Sequence, residues 1–299
     1  MAQQKTAKKQ VPAQLTGAPE VVDPVWLLKA IAVVLVAALV CGYMALCLLL
    51  YQGQWQLVLH PKQTTTAPAE VGDAAVQALK FGTDASGTPQ LTGWWIPAAG
   101  GRYAGTTVLY LPAGDGSLAD AQGTLALLHQ LGVNVFGIDY RGYGQSAAVH
   151  PNQQRMTEDA ETAFGYLTGS RGLAASSIVP YGVGVSGSLA AGLAATHSAV
   201  PAVIVEAPGE EPLAIVKADP RTKMLPVNLL LKERFDLAAP LAGLKTPKLL
   251  LTPQKDDARL KSAADPKIAI YGAPAHGAAE YDPAMKGYLS RFFDQYLHK

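Results

Sequence analysis

Cysteine is scarce in this 299-residue chain: its two copies, Cys41 and Cys47, both fall inside one long apolar run. The rest of the chain has no thiol for a disulfide or a cysteine-ligated metal, which excludes a disulfide framework and a zinc–thiolate site. Thiol-free composition outside the run suits an oxidising compartment without requiring one. Excess charge is also absent. The net charge is +1, and neither a basic run nor a basic patch interleaved with aromatics is present to engage nucleic acid. Histidines 60, 129, 150, 197 and 298 are scattered without metal-ligand spacing, so no metal or other cofactor is expected. No segment repeats at a fixed period.

What the chain does have is apolar length. Ala30 to Tyr51 is 22 residues without a charge, and a bilayer core of about 30 Å needs about 20 apolar residues in helical form. A cleaved signal peptide competes, but its apolar region is typically about 7 to 15 residues. No small-x-small cleavage site follows Tyr51, where the chain reads Gln52-Gly53-Gln54-Trp55. An uncleaved signal-anchor helix over 26–51 is the better reading, with the lipid bilayer contacted through residues 30–51. Lys5, Lys8, Lys9 and Lys29 precede it and only Lys62 lies in the next twenty residues. The N-terminus is therefore expected to be cytoplasmic and the globular domain periplasmic or otherwise extracytoplasmic. Trp26, Tyr51 and Trp55 fit membrane interfaces, although ordinary packing fits them equally well. Residues 1–22 mix Gln, Lys, Ala and Pro without periodicity and read as a disordered cytoplasmic tail.

The stretch 57–299 is long enough for one sizeable core. Residues 61–72, with three threonines in a row and two prolines, read as a linker. Beyond it, β-rich runs alternate with helical patterns, which predicts a mostly parallel sheet covered on both faces. Eight strands are expected, at 75–82, 90–96, 106–111, 133–138, 177–181, 201–207, 247–252 and 267–271. Helices are expected near 119–131, 157–168, 187–197 and 281–297, the second opening at Thr157 and Glu158. Residues 209–245 are placed for a small cap or lid.

Three segments carry a family resemblance. Gly137-Ile138-Asp139-Tyr140-Arg141-Gly142-Tyr143-Gly144-Gln145-Ser146 resembles the strand-four signature of membrane-anchored α/β-hydrolases of the bud-emergence and abhydrolase-domain type, which are serine aminopeptidase-like. Its glycines allow a sharp turn and Arg141 can tie that turn down, a structural role. Leu225-Pro226-Val227 through Phe235-Asp236, then Thr246-Pro247-Lys248-Leu249-Leu250-Leu251, is similar to the family's link from lid to strand seven. Ser177 to His197 has the strand, turn and helix on which members carry Gly-x-Ser-x-Gly, the nucleophile elbow. The resemblance covers about Leu57 to the C-terminus and implies an α/β-hydrolase fold.

A serine hydrolase needs an activated hydroxyl, an imidazole, a carboxylate to orient it, and amide donors for the oxyanion. His276, after the last strand, stands where the family places its base. Asp256, after strand seven, stands where the acid belongs, with Glu206 a weaker alternative. At the elbow the alignment puts Gly184 in the nucleophile position and Ser186 at the following glycine. Shifting by two residues makes Gly184-Val185-Ser186-Gly187-Ser188 read Gly-x-Ser-x-Ser with Ser186 as nucleophile, but lengthens strand five and places Leu189 where close helix packing wants glycine. After strand three the family's His-Gly is replaced by Pro112-Ala113, then Gly114-Asp115-Gly116-Ser117. This leaves Ala113, Gly114, Gly184 and Val185 to form any oxyanion site, with one donor lost at proline.

Two functions follow. One is a hydrolase of ester, thioester or amide bonds acting through Ser186, Asp256 and His276 on a small acyl substrate. The other is a catalytically degenerate hydrolase kept as a binding or scaffolding module at the membrane, with an unknown protein partner.

Overall fold

The computed structural model describes residues 23–274 and 281–297. The chain divides into two compact units, Met1–Leu48 and Leu49–Lys299. The described part of the first belongs to helix α1, Pro24–Gly53. Proline stands at the first helical position, where its missing N–H costs nothing, and the Asp23 carboxylate accepts from the Val25 N–H at 3.0 Å. The helix has no acidic residue in its first turn and no basic residue in its last. Its most apolar 18 residues have a mean hydropathy of 2.8 and only 6% of them are buried, which sets it apart from a core helix. Thirty residues at 1.5 Å each rise about 45 Å, long enough to cross a bilayer.

The second unit is built on eight strands: β1 Gln77–Thr83, β2 Pro89–Ile96, β3 Thr107–Leu111, β4 Asn134–Asp139, β5 Ile178–Val183, β6 Val203–Glu206, β7 Lys248–Thr252 and β8 Lys267–Tyr271. All eight fall where the β-rich runs place them, in the order β8-β7-β6-β5-β3-β4-β2-β1. Pairing is antiparallel from β1 to β2 and from β2 to β4, and parallel elsewhere. Every residue of β3, β6 and β7 is buried, as expected for strands covered on both faces. Even Lys248 is buried, at the start of β7. Its ammonium donates to the carbonyls of Leu244, Ala264 and Pro266 at 2.9, 2.8 and 3.2 Å, so all three protons are spent.

Helices α2 Gln122–Gln130, α3 Gln153–Gly165, α4 Ser186–Thr196 and α6 Tyr281–Tyr296 cover the sheet, and α5 Pro212–Ala218 lies in 209–245, the segment expected to form a cap. Side chains alternate along each strand, so two apolar cores form. One joins Leu109 and Leu111 of β3 to Met156 of α3 and Leu189 of α4. The other joins Val108 and Tyr110 to Leu125 of α2 and Phe292 and Phe293 of α6. Each fully buried Phe contributes about 2 to 3 kcal/mol of transfer free energy.

Helix α3 starts four residues before the Thr157 that the sequence suggests. Asn152 caps it, its side-chain oxygen accepting from the Arg155 N–H at 2.8 Å. The stronger capping residue wins, and Gln153 and Gln154 propagate the helix from it. The larger correction concerns residues 61–72, which are not a free linker. His60–Pro61 pairs in parallel with Asp115–Gly116, Gln63 bridges Gly144, and Glu70–Val71 pairs with Ala74–Ala75. Backbone bonds from His60 N to Gly114 O and from Lys62 N to Gly116 O stitch the segment onto the loop after β3. Threonine and proline read as linker in composition, yet both suit extended backbone paired at an edge.

The turn after β4 is fixed as its residue types suggest. Arg141 donates from its backbone N–H and its Nε to Asp159 at 2.8 and 2.6 Å, and from Nη2 to Glu158 at 2.8 Å. Gly144 has φ +50°, and a Cβ there would lie inside the Asp139 carboxylate. No other residue fits.

Candidate active site

Strand β5 runs into the turn Gly182-Val183-Gly184-Val185-Ser186. At Gly182 an added Cβ would come 2.1 Å from the Ser186 carbonyl oxygen, so the helix start packs directly on the strand's last turn. At Gly187 it would come 2.7 Å from Val205 Cγ1. These crowded positions fix the register as the unshifted one. Gly184 is then the apex of the elbow, with φ +59°, in the left-handed region that glycine enters without strain. Its N–H donates to Glu206 O at 3.0 Å, which ties the apex to β6.

The shifted register, in which Ser186 is the nucleophile, is not the one the chain adopts. Ser186 is the first residue of α4 and is wholly buried. Its hydroxyl donates to Pro112 O at 2.5 Å and accepts from the Tyr140 hydroxyl at 2.8 Å. Burial holds the Tyr140 phenol well above its ordinary pKa, so it stays a donor. The single Ser186 proton is committed to a main-chain carbonyl, in the place where a catalytic serine would meet an imidazole. The sequence pattern alone did not single out Tyr140, although its position beside Arg141 in the strand-four signature is a signal of a second anchoring side chain.

A cavity of about 520 Å³ lies over the elbow, and Gly184, Val185, Ala113 and Gly114 are all on its wall, whereas Ser186 is not. Among the described residues the N–H groups of Ala113 and Val185 have no hydrogen-bond acceptor. Two amides thus remain where an oxyanion site would need them. Asp115, Asp120 and Glu210 share the wall and set a negative field against any developing oxyanion. Asp120 is partly neutralised by Lys62 at 3.0 Å. Burial pushes its carboxyl up, but Lys62 and the Ser117 N–H outweigh that and hold it below the usual range. Val58 and His60, which no motif assigns to the site, also line the cavity. The apolar pair Val58-Leu59 next to an expected linker was their only signal.

The acid positions divide differently from expectation. Asp256 is solvent-exposed and pairs with Lys261 at 2.7 Å. Its neighbour Asp257 is buried, caps the short helix Ala258–Lys261 and meets Arg259 at 3.0 and 2.6 Å. Glu206, at the end of β6, accepts from the Tyr181 hydroxyl at 2.5 Å and from the Tyr281 hydroxyl at 2.6 Å. Both its oxygens are engaged by phenols that burial keeps protonated. His276 lies outside the described residues. Among the described residues, no group of three or more His, Cys, Asp or Glu side chains is placed to hold a metal ion.

No family model matches the chain. It is 27% identical over 268 residues, 86% of its own length and 90% of the other's, to the uncharacterized protein Rv2307c of Mycobacterium tuberculosis. Over 104 residues, 34% of its own length and 33% of the other's, it is 34% identical to the alpha/beta hydrolase domain-containing protein WAV2 of Arabidopsis thaliana. Among solved structures it is similar to an esterase of Pyrococcus furiosus, with a TM-score of 0.61 at 15% identity over 80% of this chain and 98% of that one. It is also similar to an alpha-beta hydrolase of Vibrio vulnificus, with a TM-score of 0.58 at 19% identity over 79% of this chain and 96% of that one. Strand order, elbow and these likenesses agree: the chain has the α/β-hydrolase fold, preceded by one apolar helix long enough to span a membrane.

Proposed function

We propose that this protein is a membrane-tethered binding module of α/β-hydrolase fold, in which the elbow cavity holds a small ligand and no serine attacks it. One observation carries the reading: the apex of the elbow is Gly184, while the neighbouring Ser186 hydroxyl is buried and committed to Pro112 and Tyr140. Nucleophilic catalysis needs a hydroxyl beside a base and facing the substrate. Glycine at the apex supplies none. A tether through residues 30–51, with the N-terminus cytoplasmic and the globular unit extracytoplasmic, is supported by the helix length and by the four lysines that precede it.

The test is labelling of the full chain with a fluorophosphonate. The expected result is no adduct on the parent protein. An adduct on Ser186, lost in Ser186→Ala, overturns the proposal and restores the hydrolase reading, which the likeness to esterase structures and the two free elbow amides favour. Gly184→Ser is the companion variant. It returns a hydroxyl to the apex, where its Cβ would meet Ala113 Cβ at 3.2 Å, a contact relieved by a small shift, and where the positive φ costs a non-glycine residue about 1 to 2 kcal/mol. Labelling that appears only in Gly184→Ser shows that the parent lacks the nucleophile and little else.

A further inference from the structure

The cap is joined to the point where the chain leaves the apolar helix, and its exposed charge there is of one sign. Gln54 is almost wholly buried. Its Nε2 donates to Leu230 O at 3.2 Å, and its Oε1 accepts from the Lys232 and Glu233 N–H groups at 2.5 and 3.2 Å. Lys232 Nζ sits 4.0 Å from the centre of the Tyr51 ring, a cation–π contact. The short helix Trp55–Val58 packs on α5. Tyr51, Gln54 and the cap all belong to the second unit, so this junction is internal to it.

Between 217 and 234 the basic residues are Lys217, Arg221, Lys223, Lys232 and Arg234, all exposed. The acids there are Asp219, which is paired with Arg221 at 2.6 Å, and Glu233, which is buried and accepts from the Gln153 N–H. Glu210 stands apart, on the cavity wall, and the exposed acids Glu211 and Asp236 bracket the stretch without entering it. Amid the basic residues, Met224 is 85% exposed and Leu229 is 82% exposed, the two most exposed large apolar side chains among the described residues. Leu229 is next to the residue that Gln54 holds, so it lies within about 10 Å of the helix exit by chain geometry.

We infer that this face of the cap, residues 217–234, docks on the anionic surface of the bilayer that the protein's own helix spans, with Met224 and Leu229 entering the headgroup layer. The inference rests on the tether proposed above. A helix that spans through Tyr51 leaves Gln54 at the headgroups, and whatever Gln54 binds is there too. Exposed apolar side chains ringed by lysine and arginine match a surface of anionic headgroups over acyl chains. A protein partner would bring its own carboxylates to the same residues, and the experiment separates the two.

The probe is a fluorophore sensitive to its surroundings, attached at Leu229→Cys in the full chain with Cys41→Ser and Cys47→Ser. The chain is placed in nanodiscs of phosphatidylcholine alone or mixed with phosphatidylglycerol, each with nitroxide on the headgroup. Emission is expected to shift to the blue and be quenched by the nitroxide, more strongly with phosphatidylglycerol. The same label at Ser198→Cys, at the opposite end of the sheet before β6, is expected to stay aqueous. Lys217→Gln with Lys223→Gln removes two attractions of about fivefold each and is expected to lower the quenching at 229 in the anionic discs but not in the neutral ones. A blue shift without quenching, which a protein contact would give, overturns the inference, as does an aqueous signal at 229. Cys41 in the otherwise unaltered chain reports the tether separately: its protection from aqueous maleimide upholds the span even if docking fails, and its labelling removes the span itself.

Discussion

Replacing Ser186 by alanine distinguishes a structural hydroxyl from a catalytic one. The substitution leaves Pro112 O and the Tyr140 hydroxyl without their partner, and Tyr140 and Ser186 are both wholly buried. An unsatisfied buried group costs about 1 to 3 kcal/mol, and alanine's better helix propensity returns about 0.5 kcal/mol. With two such groups the net expectation is a loss of about 1.5 to 5.5 kcal/mol. For a domain of this size that lowers Tm by about 3 to 20 °C. Thermal unfolding of the full chain in detergent micelles, followed by tryptophan fluorescence, measures it. Tyr140→Phe removes the other partner, so Ser186→Ala made on that background should cost about 1 kcal/mol less than on the parent. An unchanged Tm in Ser186→Ala, with no coupling to Tyr140→Phe, would refute the reasoning, because a hydroxyl facing the cavity can be deleted without loss of stability.

Three further expectations follow from close contacts and burial. Gly182→Ala pushes a Cβ to 2.1 Å from Ser186 O and should cost more than about 4 kcal/mol, seen as a chain recovered only in aggregates or melting at least about 10 °C lower. Burial pushes the Asp139 carboxyl up to about 6, against the pull of the Leu118 N–H. The unfolded chain gives up this proton near pH 4 and the folded one only near 6, so stability should fall by about 3 kcal/mol as pH rises between them and level off above. Asp139→Asn, which keeps the acceptor for Leu118, should remove that part of the slope in melting curves taken from pH 4 to 7 and leave the similar part contributed by Asp159, whose carboxyl burial also pushes up to about 6. Gln54→Ala should raise amide exchange at Lys232 and Glu233 about tenfold or more while leaving β3 and β5 protected; unaltered exchange there would show that Gln54 does not hold the cap.

The inner strands β3 and β7 were legible because each is a short, mostly apolar run bounded by turn residues and buried on both faces, whereas the edge strand β1, with Gln77, Lys80 and Thr83, was legible from its β-rich composition. The elbow was legible up to its register. Two serines and three glycines within seven residues fit either reading, and the decision came from contacts with Ser186 O and Val205 that no local pattern encodes. Residues 61–72 look like a linker because composition reports how stiff a segment is, while its order comes from acceptors supplied by Gly114, Gly116 and Gly144, far along the chain. Asp256 and Asp257 illustrate the same limit. Adjacent carboxylates of one type ended in opposite environments, one in solvent beside Lys261 and one buried under Arg259.

The stitched segment after the helix also decides what can be cut. Gly114 has room for no Cβ because Leu59 and Val185 each stand 2.7 Å from where it would be, so the chain just after α1 is a wedge against the elbow. Val58 and His60 are part of the cavity wall. A protease cleaving near residue 62 would separate the domain from α1, and the released part would leave Val58 and His60, a wall of its cavity, behind. Release from α1 and an intact cavity are, for this protein, mutually exclusive.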